Sequence, residues 1–395
     1  MNSREKTQDF DVIVVGGGLV GSALALALGQ GGAQVALLEQ APPAALPTDV
    51  SWDPRIYAIT PGNVAFLQRL GVWDSLDASR IAPVHAMHIW GDNGRAMLDF
   101  DAYDAGVPEL GVIAESRLMQ HGLWQALLLE SNVTLLNAAK CAALDIHADS
   151  AMLKLEDGRE LHAQLVVGAD GGDSWVRSQA GIGVTVLPYE QLGVVANFET
   201  EQPHGGVARQ WFMPDGILAW LPLPGRRISI VWSAYENRAN ALLQLDPETF
   251  CTEVAQAGHH ALGALYLITP PMGFPLRLQH NDALIAPRVA LVGDAAHRVH
   301  PLAGHGVNLG FRDAQSLVSV LQEKRVHADF GNHLLLRRFE RERKADILAM
   351  QAVTYGLQKL FNNHDPLLGW LRNIGLNAVN HVAPLKRHLM AYSLV

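Results

Sequence analysis

Apolar residues fall in short blocks along this chain, and the spacing inside the blocks changes character twice. Residues 10–15 form a β-rich apolar run, and residues 19–29 switch to a Leu- and Ala-dominated stretch with helical spacing. A second strand over 34–38 ends at Glu39. Thr60-Pro61 offers an N-cap followed by proline at the first helical position, which predicts a helix through Leu70. Residues 84–101 read as a hairpin around Asn93-Gly94, and Ser116 is expected to cap a helix running to about Glu130. Another hairpin is expected at Asp157-Gly158, and its second strand enters the apolar run Leu165-Val166-Val167.

Between about 186 and 272 alternating strands are separated by turn clusters at Pro214-Asp215-Gly216 and Pro224-Gly225, the pattern of an antiparallel sheet. Asp246-Pro247 opens a helix, residues 289–292 return to a buried strand, and 306–322 to a helix. From about 332 the chain is helical and rich in Arg, Leu and Met until Pro366. The expected fold class is α/β (α+β). A discontinuous, Rossmann-like cofactor-binding domain takes 1–83, 102–185 and 273–325. An antiparallel-sheet substrate domain takes 84–101 and 186–272, and a helical C-terminal region takes 326–395.

Composition narrows the class. Of 395 residues, 49% are hydrophobic and 17% charged, so a folded chain is expected rather than a disordered one. A formal net charge of −9 argues against a nucleic-acid partner. Two widely separated cysteines, Cys141 and Cys251, fit a reducing compartment and no disulfide scaffold. No stretch reaches the roughly 20 clean apolar residues of a membrane span, and a cytoplasmic location is expected. There is no HExxH or Cys/His cluster for a metal, and no GxSxG or triad pattern for hydrolysis.

Three motifs carry chemistry. Gly16-Gly17-Gly18-Leu19-Val20-Gly21 follows a strand and opens a helix. In that setting Gly16 makes a tight turn, Gly18 lets a pyrophosphate approach the backbone, and Gly21 lets helix and strand pack closely. Glu39, at the end of the next strand, is placed for ribose hydroxyls. This motif alone does not separate FAD from NAD. The second motif, Gly168-Ala169-Asp170-Gly171 with Ser174 and Arg177, reads on its own as a strand-end turn. The third is the longest: Gly293-Asp294-Ala295-Ala296-His297, then Pro301, Gly304, His305, Gly306, Val307, Asn308, Gly310 and Asp313. A buried strand delivers Asp294 at its carboxyl end, and a second helix N-terminus follows. Two helix N-termini and two strand-end carboxylates suit a long ligand with two phosphates and a sugar-alcohol chain.

In this order and spacing the motifs resemble flavoprotein aromatic hydroxylases related to p-hydroxybenzoate hydroxylase. More narrowly, Val289 to Asp313, Arg55 to Ile59, Leu70 to Asp74, Leu165 to Arg177 and Leu385 to Met390 resemble the ubiquinone-biosynthesis hydroxylases. The likeness covers nearly the whole chain. It implies that FAD is the cofactor and NAD(P)H a transient reductant, with oxygen passing to the ring from a C4a-hydroperoxyflavin. It further implies a prenylated phenolic substrate, and as partners other ubiquinone-biosynthesis proteins and a membrane surface. By the same resemblance Gly16, Gly18 and Gly21 hold the pyrophosphate, Glu39 the adenosine ribose, and Gly293 and Asp294 the ribitol end. Asp170 and Gly171 are associated with FAD and nicotinamide. Pro301, Gly304, Gly306, Val307 and Asn308 border the isoalloxazine, and Arg55 lies near the flavin and phosphates. Arg55, Pro301 and His305 are the residues expected at the reacting end. One departure stands out: His305 occupies a place where the family usually has Gln.

Residues outside the motifs have two readings. Trp211, Phe212, Trp220 and Trp232 either face a greasy substrate or, more commonly, pack in a core. His297 and His300 are either acid–base groups or loop histidines making one structural hydrogen bond. Arg372, Lys386 and Arg387, in a tail without acidic residues past Asp365, suit either an anionic membrane or ordinary docking. Other functions compatible with the same fold are a flavin dehydrogenase or oxidase, and a non-catalytic FAD-binding member of a biosynthetic complex.

Overall fold

The computed structural model describes residues 8–47, 49, 51–91, 97–299, 305–323 and 329–361. The turn at Asn93-Gly94, the segment with His300, Pro301 and Gly304, and the tail with Arg372, Lys386 and Arg387 lie outside the described residues.

The first sheet has a parallel core. Its strands run in the order Ile285–Ala286, Val289–Leu291, Glu160–Gly168, Gln8–Val15, Val35–Glu39 and Val133–Asn137. Near-continuous Val, Ile and Leu in these strands match burial on both faces, as parallel strands require. Helix Leu19–Gln30 is buried nearly all round and sits against helices Ser116–Leu129 and His305–Gln322. Its Ala and Gly content lets those neighbours come close. The long helix His333–Phe361 packs on His305–Gln322.

The second sheet has nine strands in all. Its main path runs His297–Arg298, Met272–Asn281, Val184–Thr200, Arg227–Tyr235, Gly216–Leu223, Val207–Met213, Ala86–Trp90 and Met97–Asp101. It departs from the sequence expectation in two ways. Val207–Met213 pairs with Ala86–Trp90 in parallel, so the sheet is mixed at that seam. Met272–Asn281, grouped by sequence with the cofactor segments, pairs with Val184–Thr200 and belongs to this sheet. Helices Glu236–Leu243 and Pro247–Ala257 cover its outer face. Asp246 caps the second of these by accepting from the Thr249 amide at 3.0 Å.

A small antiparallel sheet of Ile56–Ile59, Gly111–Glu115 and Ala82–Val84 lies between the two units, and nothing in the sequence pattern announced it. Ile56 and Ile113 pack there against Ala208, Leu221 and Leu223 of the large sheet. No helix among the described residues is long and apolar enough to cross a membrane.

Candidate functional site

The three sequence motifs start from one row of the first sheet. Val15 pairs with Gly168, and Gly168 with Leu291, so the turns that follow leave the carboxyl ends of three adjacent parallel strands. That edge is where open α/β sheets bind ligands.

At the first turn Gly16 has φ +106°, and a Cβ there would lie 2.4 Å from the Ala169 carbonyl oxygen. A Cβ on Gly21 would lie 1.9 Å from the Gly16 carbonyl oxygen. These two glycines are therefore required by the protein's own backbone. Gly18 is different, because a Cβ on it meets, beyond its own chain neighbours, no atom of the described residues within 4 Å. It begins helix Leu19–Gln30, whose first turn has no acidic residue and no side-chain cap. The helix N-terminus is left with open space and uncapped N–H groups, the requirement for a phosphate. The Glu39 carboxylate lies against this turn, accepting from the Gly17 amide at 2.7 Å and the Ala41 amide at 3.0 Å. Each carboxylate oxygen retains a second lone pair for a ribose hydroxyl. Gln120, which the sequence did not single out, donates to the Gly17 carbonyl at 2.6 Å and fixes the turn from the neighbouring helix.

At the second turn the bland reading describes the side chain. Asp170 accepts from the Ser174 hydroxyl at 2.5 Å and the Val176 amide at 3.0 Å, and so braces Ser174, which caps the short helix Trp175–Gln179 by accepting from the Arg177 amide at 3.0 Å. Gly171 has φ +82° and permits the turn.

The third turn is braced from below. Gly293 donates its amide to Asp313 at 2.9 Å, and the same carboxylate takes His297 Nε2 at 2.6 Å and Arg343 Nε at 2.8 Å. Burial alone would push the Asp313 carboxyl up; His297 and Arg343 outweigh it and hold the group below its ordinary value. His297 is thus a buried structural partner of Asp313. Asp294 remains half exposed at the turn, with Arg298 Nε 3.4 Å from its carboxylate.

Helix His305–Gln322 begins at this edge, with Gly306 and Val307 half-buried and Asn308 buried; the His305 side chain lies outside the described residues. The Asn308 side chain is fully used as a strap. It donates to the Ala58 carbonyl at 2.7 Å and accepts from the Thr60 amide at 3.0 Å and Asn63 Nδ2 at 2.9 Å. Asn63 also reaches the Thr60 hydroxyl, at 3.0 Å, and Thr60 caps its helix with no side-chain bond to a backbone amide.

Arg55 is exposed, while its backbone is pinned: its amide donates to Asp53 at 2.9 Å and its carbonyl accepts from the Ser116 amide at 2.9 Å. The expected cap at Ser116 is replaced by Glu115, which has no capping bond of its own; Asp53 supplies the acceptor, taking the Arg117 amide at 2.9 Å. Glu115 itself is fully buried and holds Arg80 at 2.6 Å and Arg117 at 3.3 Å. Burial first, then the charge of Asp294, raises the phenol of Tyr57, one strand position from Ala58, above its ordinary value.

The aromatics of the large sheet are core. Trp211, Trp220 and Trp232 pack under the two covering helices, with Trp90 stacked on Trp211 at 5.0 Å, and Phe212 packs on the other face with Ile89, Leu98 and Ile217. Among the described residues no three His, Cys, Asp or Glu side chains gather as a metal site.

The open, uncapped turn at Gly18 and the exposed carboxylate at Asp294, two strands away on the same edge, fit the two halves of a dinucleotide. Comparison with known proteins agrees. Residues 9–354 match the family model described as FAD binding domain. The chain is 38% identical over 390 residues to 3-demethoxyubiquinol 3-hydroxylase of Escherichia coli, covering 98% of this chain and 99% of that one. It is 36% identical to ubiquinone hydroxylase UbiL of Rhodospirillum rubrum, covering 97% and 89%. Among solved structures, p-nitrophenol 4-monooxygenase PnpA of Pseudomonas putida matches with a TM-score of 0.78 at 20% identity, over 98% of this chain and 99% of that one, a likeness of fold.

Proposed function

The chain belongs to the FAD-binding-domain family of flavoproteins, and we propose that it hydroxylates the aromatic ring of a prenylated phenol in ubiquinone biosynthesis. The observation that carries this reading is the similarity to a ubiquinol-ring hydroxylase along essentially the full length of both chains. Bound FAD, reduced by NAD(P)H, supplies activated oxygen, and the chain's own residues do the rest.

The Gly16–Gly18–Gly21 turn takes the pyrophosphate, with the Leu19–Gln30 N-terminus facing its charge. Glu39 takes the adenosine ribose, and Gly293 and Asp294 the ribitol end. Gly306, Val307 and Asn308 border the isoalloxazine. Asn308 acts there through its backbone, since its side chain is committed to Ala58 and Thr60. Asp170 and Gly171 shape the turn between the two cofactor halves. The large sheet covers the reacting end and keeps water from it. We also place the protein in the cytoplasm at a membrane surface, since a polyprenyl tail partitions into lipid.

The test is anaerobic reduction of the FAD-loaded protein, followed by oxygen, with and without a short-chain prenylated phenol. NAD(P)H-dependent flavin reduction and a ring product carrying one oxygen from O2 are expected. Flavin reduction by the phenol alone would make the protein a dehydrogenase and end the proposal.

Arg55 gives a second prediction. Its side chain is exposed, so Arg55→Ala should change stability by no more than about 0.5 kcal/mol. Flavin reduction or hydroxylation should slow by a larger factor than FAD content falls, because the proposed site puts the guanidinium at the reacting end. Rapid-mixing rates equal to wild type would remove Arg55 from the active site.

A further inference from the structure

Between the large sheet and the loop that leads to Arg55 lies an open cleft of about 350 Å³, within the range of roughly 300–1,000 Å³ that small-molecule sites occupy. Its walls are Trp52, Ser79, Arg80, Glu199, Arg227 and Ile268. None of these belongs to the three glycine-rich turns. Glu199 and Arg227 stand opposite each other on neighbouring strands of the large sheet, and Trp52 packs with Ile56 and Ile113 of the small sheet.

Two guanidiniums converge on the Trp52 ring, Arg80 at 4.4 Å from its centre and Arg227 at 5.8 Å. Arg80 is held firmly. Its Nε donates to the buried Glu115 carboxylate at 2.6 Å and its Nη2 to the Ser51 carbonyl at 2.7 Å, which leaves Nη1 without a partner among the described residues. Arg227 is held loosely. Its Nη1 donates to the Pro224 carbonyl at 3.2 Å, while Nη2 stands 3.7 Å from Glu199, beyond hydrogen-bond length. Its Nε has no partner among the described residues. Other acids beside the cleft are engaged: Glu115 also takes the Asp53 amide and Arg117, and Asp77 and Asp49 accept from Ser79 and Ser51 of their own turns. The loop is fixed to the large sheet, since Asn197 Nδ2 donates to the Asp53 carbonyl at 2.9 Å.

Spare guanidinium donors beside an apolar wall fit an oxyanion carried on a flat organic group. A hydroxylase of this kind needs a reductant, and the sequence has no second glycine fingerprint to hold a nicotinamide dinucleotide. Trp52 is three residues from Arg55, at most about 11 Å along the chain, so a long ligand anchored in the cleft can extend to the reacting end. We infer that the cleft binds the 2′-phosphoadenosine end of NADPH, with Arg80 and Arg227 taking the 2′-phosphate and Trp52 and Ile268 lining the adenosine, so that the protein selects NADPH over NADH. The inference rests on the reading of the protein as an NAD(P)H-dependent hydroxylase and names the nucleotide that serves it. Arginine is the residue that accommodates a ribose 2′-phosphate, whereas the free ribose hydroxyls of NADH call for a carboxylate. Glu199 is the one acid in the cleft wall, and its loose hold on Arg227 lets a phosphate displace it.

The experiment titrates the FAD-loaded protein calorimetrically with adenosine 2′,5′-bisphosphate and with AMP, which differ by the 2′-phosphate. Rapid-mixing flavin reduction by NADPH and by NADH is measured in parallel. Arg80 is left in place because it also holds Glu115. Wild type should bind the bisphosphate more tightly than AMP and be reduced at lower concentrations of NADPH than of NADH. Arg227→Gln should lose about tenfold or more in bisphosphate affinity, as for a charge-assisted hydrogen bond, with a much smaller change for AMP and an unaltered melting temperature. Arg227→Lys should recover part of that loss, because it restores the charge without the planar fork. Glu199→Gln should strengthen bisphosphate binding by up to about fivefold, the worth of an exposed ion pair. Equal wild-type affinity for the two nucleotides, an Arg227→Gln loss shared equally by both, or a weakening by Glu199→Gln overturns the inference. If wild type is reduced equally well by NADH and NADPH and still oxygenates the phenol, only this inference fails. If neither nucleotide reduces the flavin, the functional reading fails with it.

Discussion

Asp313→Asn is expected to destabilise the protein by about 3–5 kcal/mol, the cost of stripping one partner from a buried charged cluster. Asp313 is 1% exposed and serves three donors at once, Gly293 N, His297 Nε2 and Arg343 Nε. Arg343 also reaches Asp346 at 2.7 Å, and Asp346 takes Arg312 at 2.9 Å, so the charge removed is one link in a chain. Against a typical total of about 5–15 kcal/mol the loss is large. The same substitution loosens the Gly293 turn and should lower FAD affinity with no change in any residue placed against the cofactor.

The sign of the pH effect follows from the carboxyl being held low. A depressed folded-state value means the stabilisation is complete above the unfolded carboxyl's value of about 3.9, and is lost as pH falls through the lower folded value. Wild type should therefore show an acid limb below about pH 4 to which Asp313 contributes, and Asp313→Asn should lack that share. Urea melts across this range measure both. A variant with the wild-type midpoint at neutral pH would show that the cluster contributes nothing.

What the sequence made legible was local. Each of the three motifs is a strand, a turn and a helix start within about 20 residues, so residue order alone locates it. The parts that brace them are not local. Asp53 caps a helix 64 residues on, Glu115 grips Arg80 from 35 residues away, and Asn308 straps Thr60 across 248. No spacing rule joins such pairs. Ser116 looked like a cap because its residue type is right, yet the chain had a carboxylate in a better place. Alternation over 186–272 announced a sheet, but alternation is blind to strand direction, and the parallel pairing of Val207–Met213 with Ala86–Trp90 could not be read from it. The four sheet aromatics fell to the commoner reading.

The glycines of the first turn separate fold from cofactor cleanly, and Gly18→Val should show it. Because a Cβ at Gly18 meets no atom of the described residues within 4 Å beyond its own chain neighbours, the variant should fold and melt like the wild-type apoprotein. The added side chain fills the space kept for the pyrophosphate, so purified Gly18→Val should be colourless. Gly21→Val is the contrast. Its Cβ would lie 1.9 Å from the Gly16 carbonyl oxygen, so helix Leu19–Gln30 cannot seat and the protein should fail to fold. The discriminating measurement is melting with added FAD. At a ligand concentration a hundred times Kd, binding stabilises wild type by about 2.7 kcal/mol. Gly18→Val should gain nothing under the same conditions. If Gly18→Val retains flavin absorbance and a FAD-dependent rise in melting temperature, the pyrophosphate lies elsewhere, and the open space at Gly18 serves some other ligand.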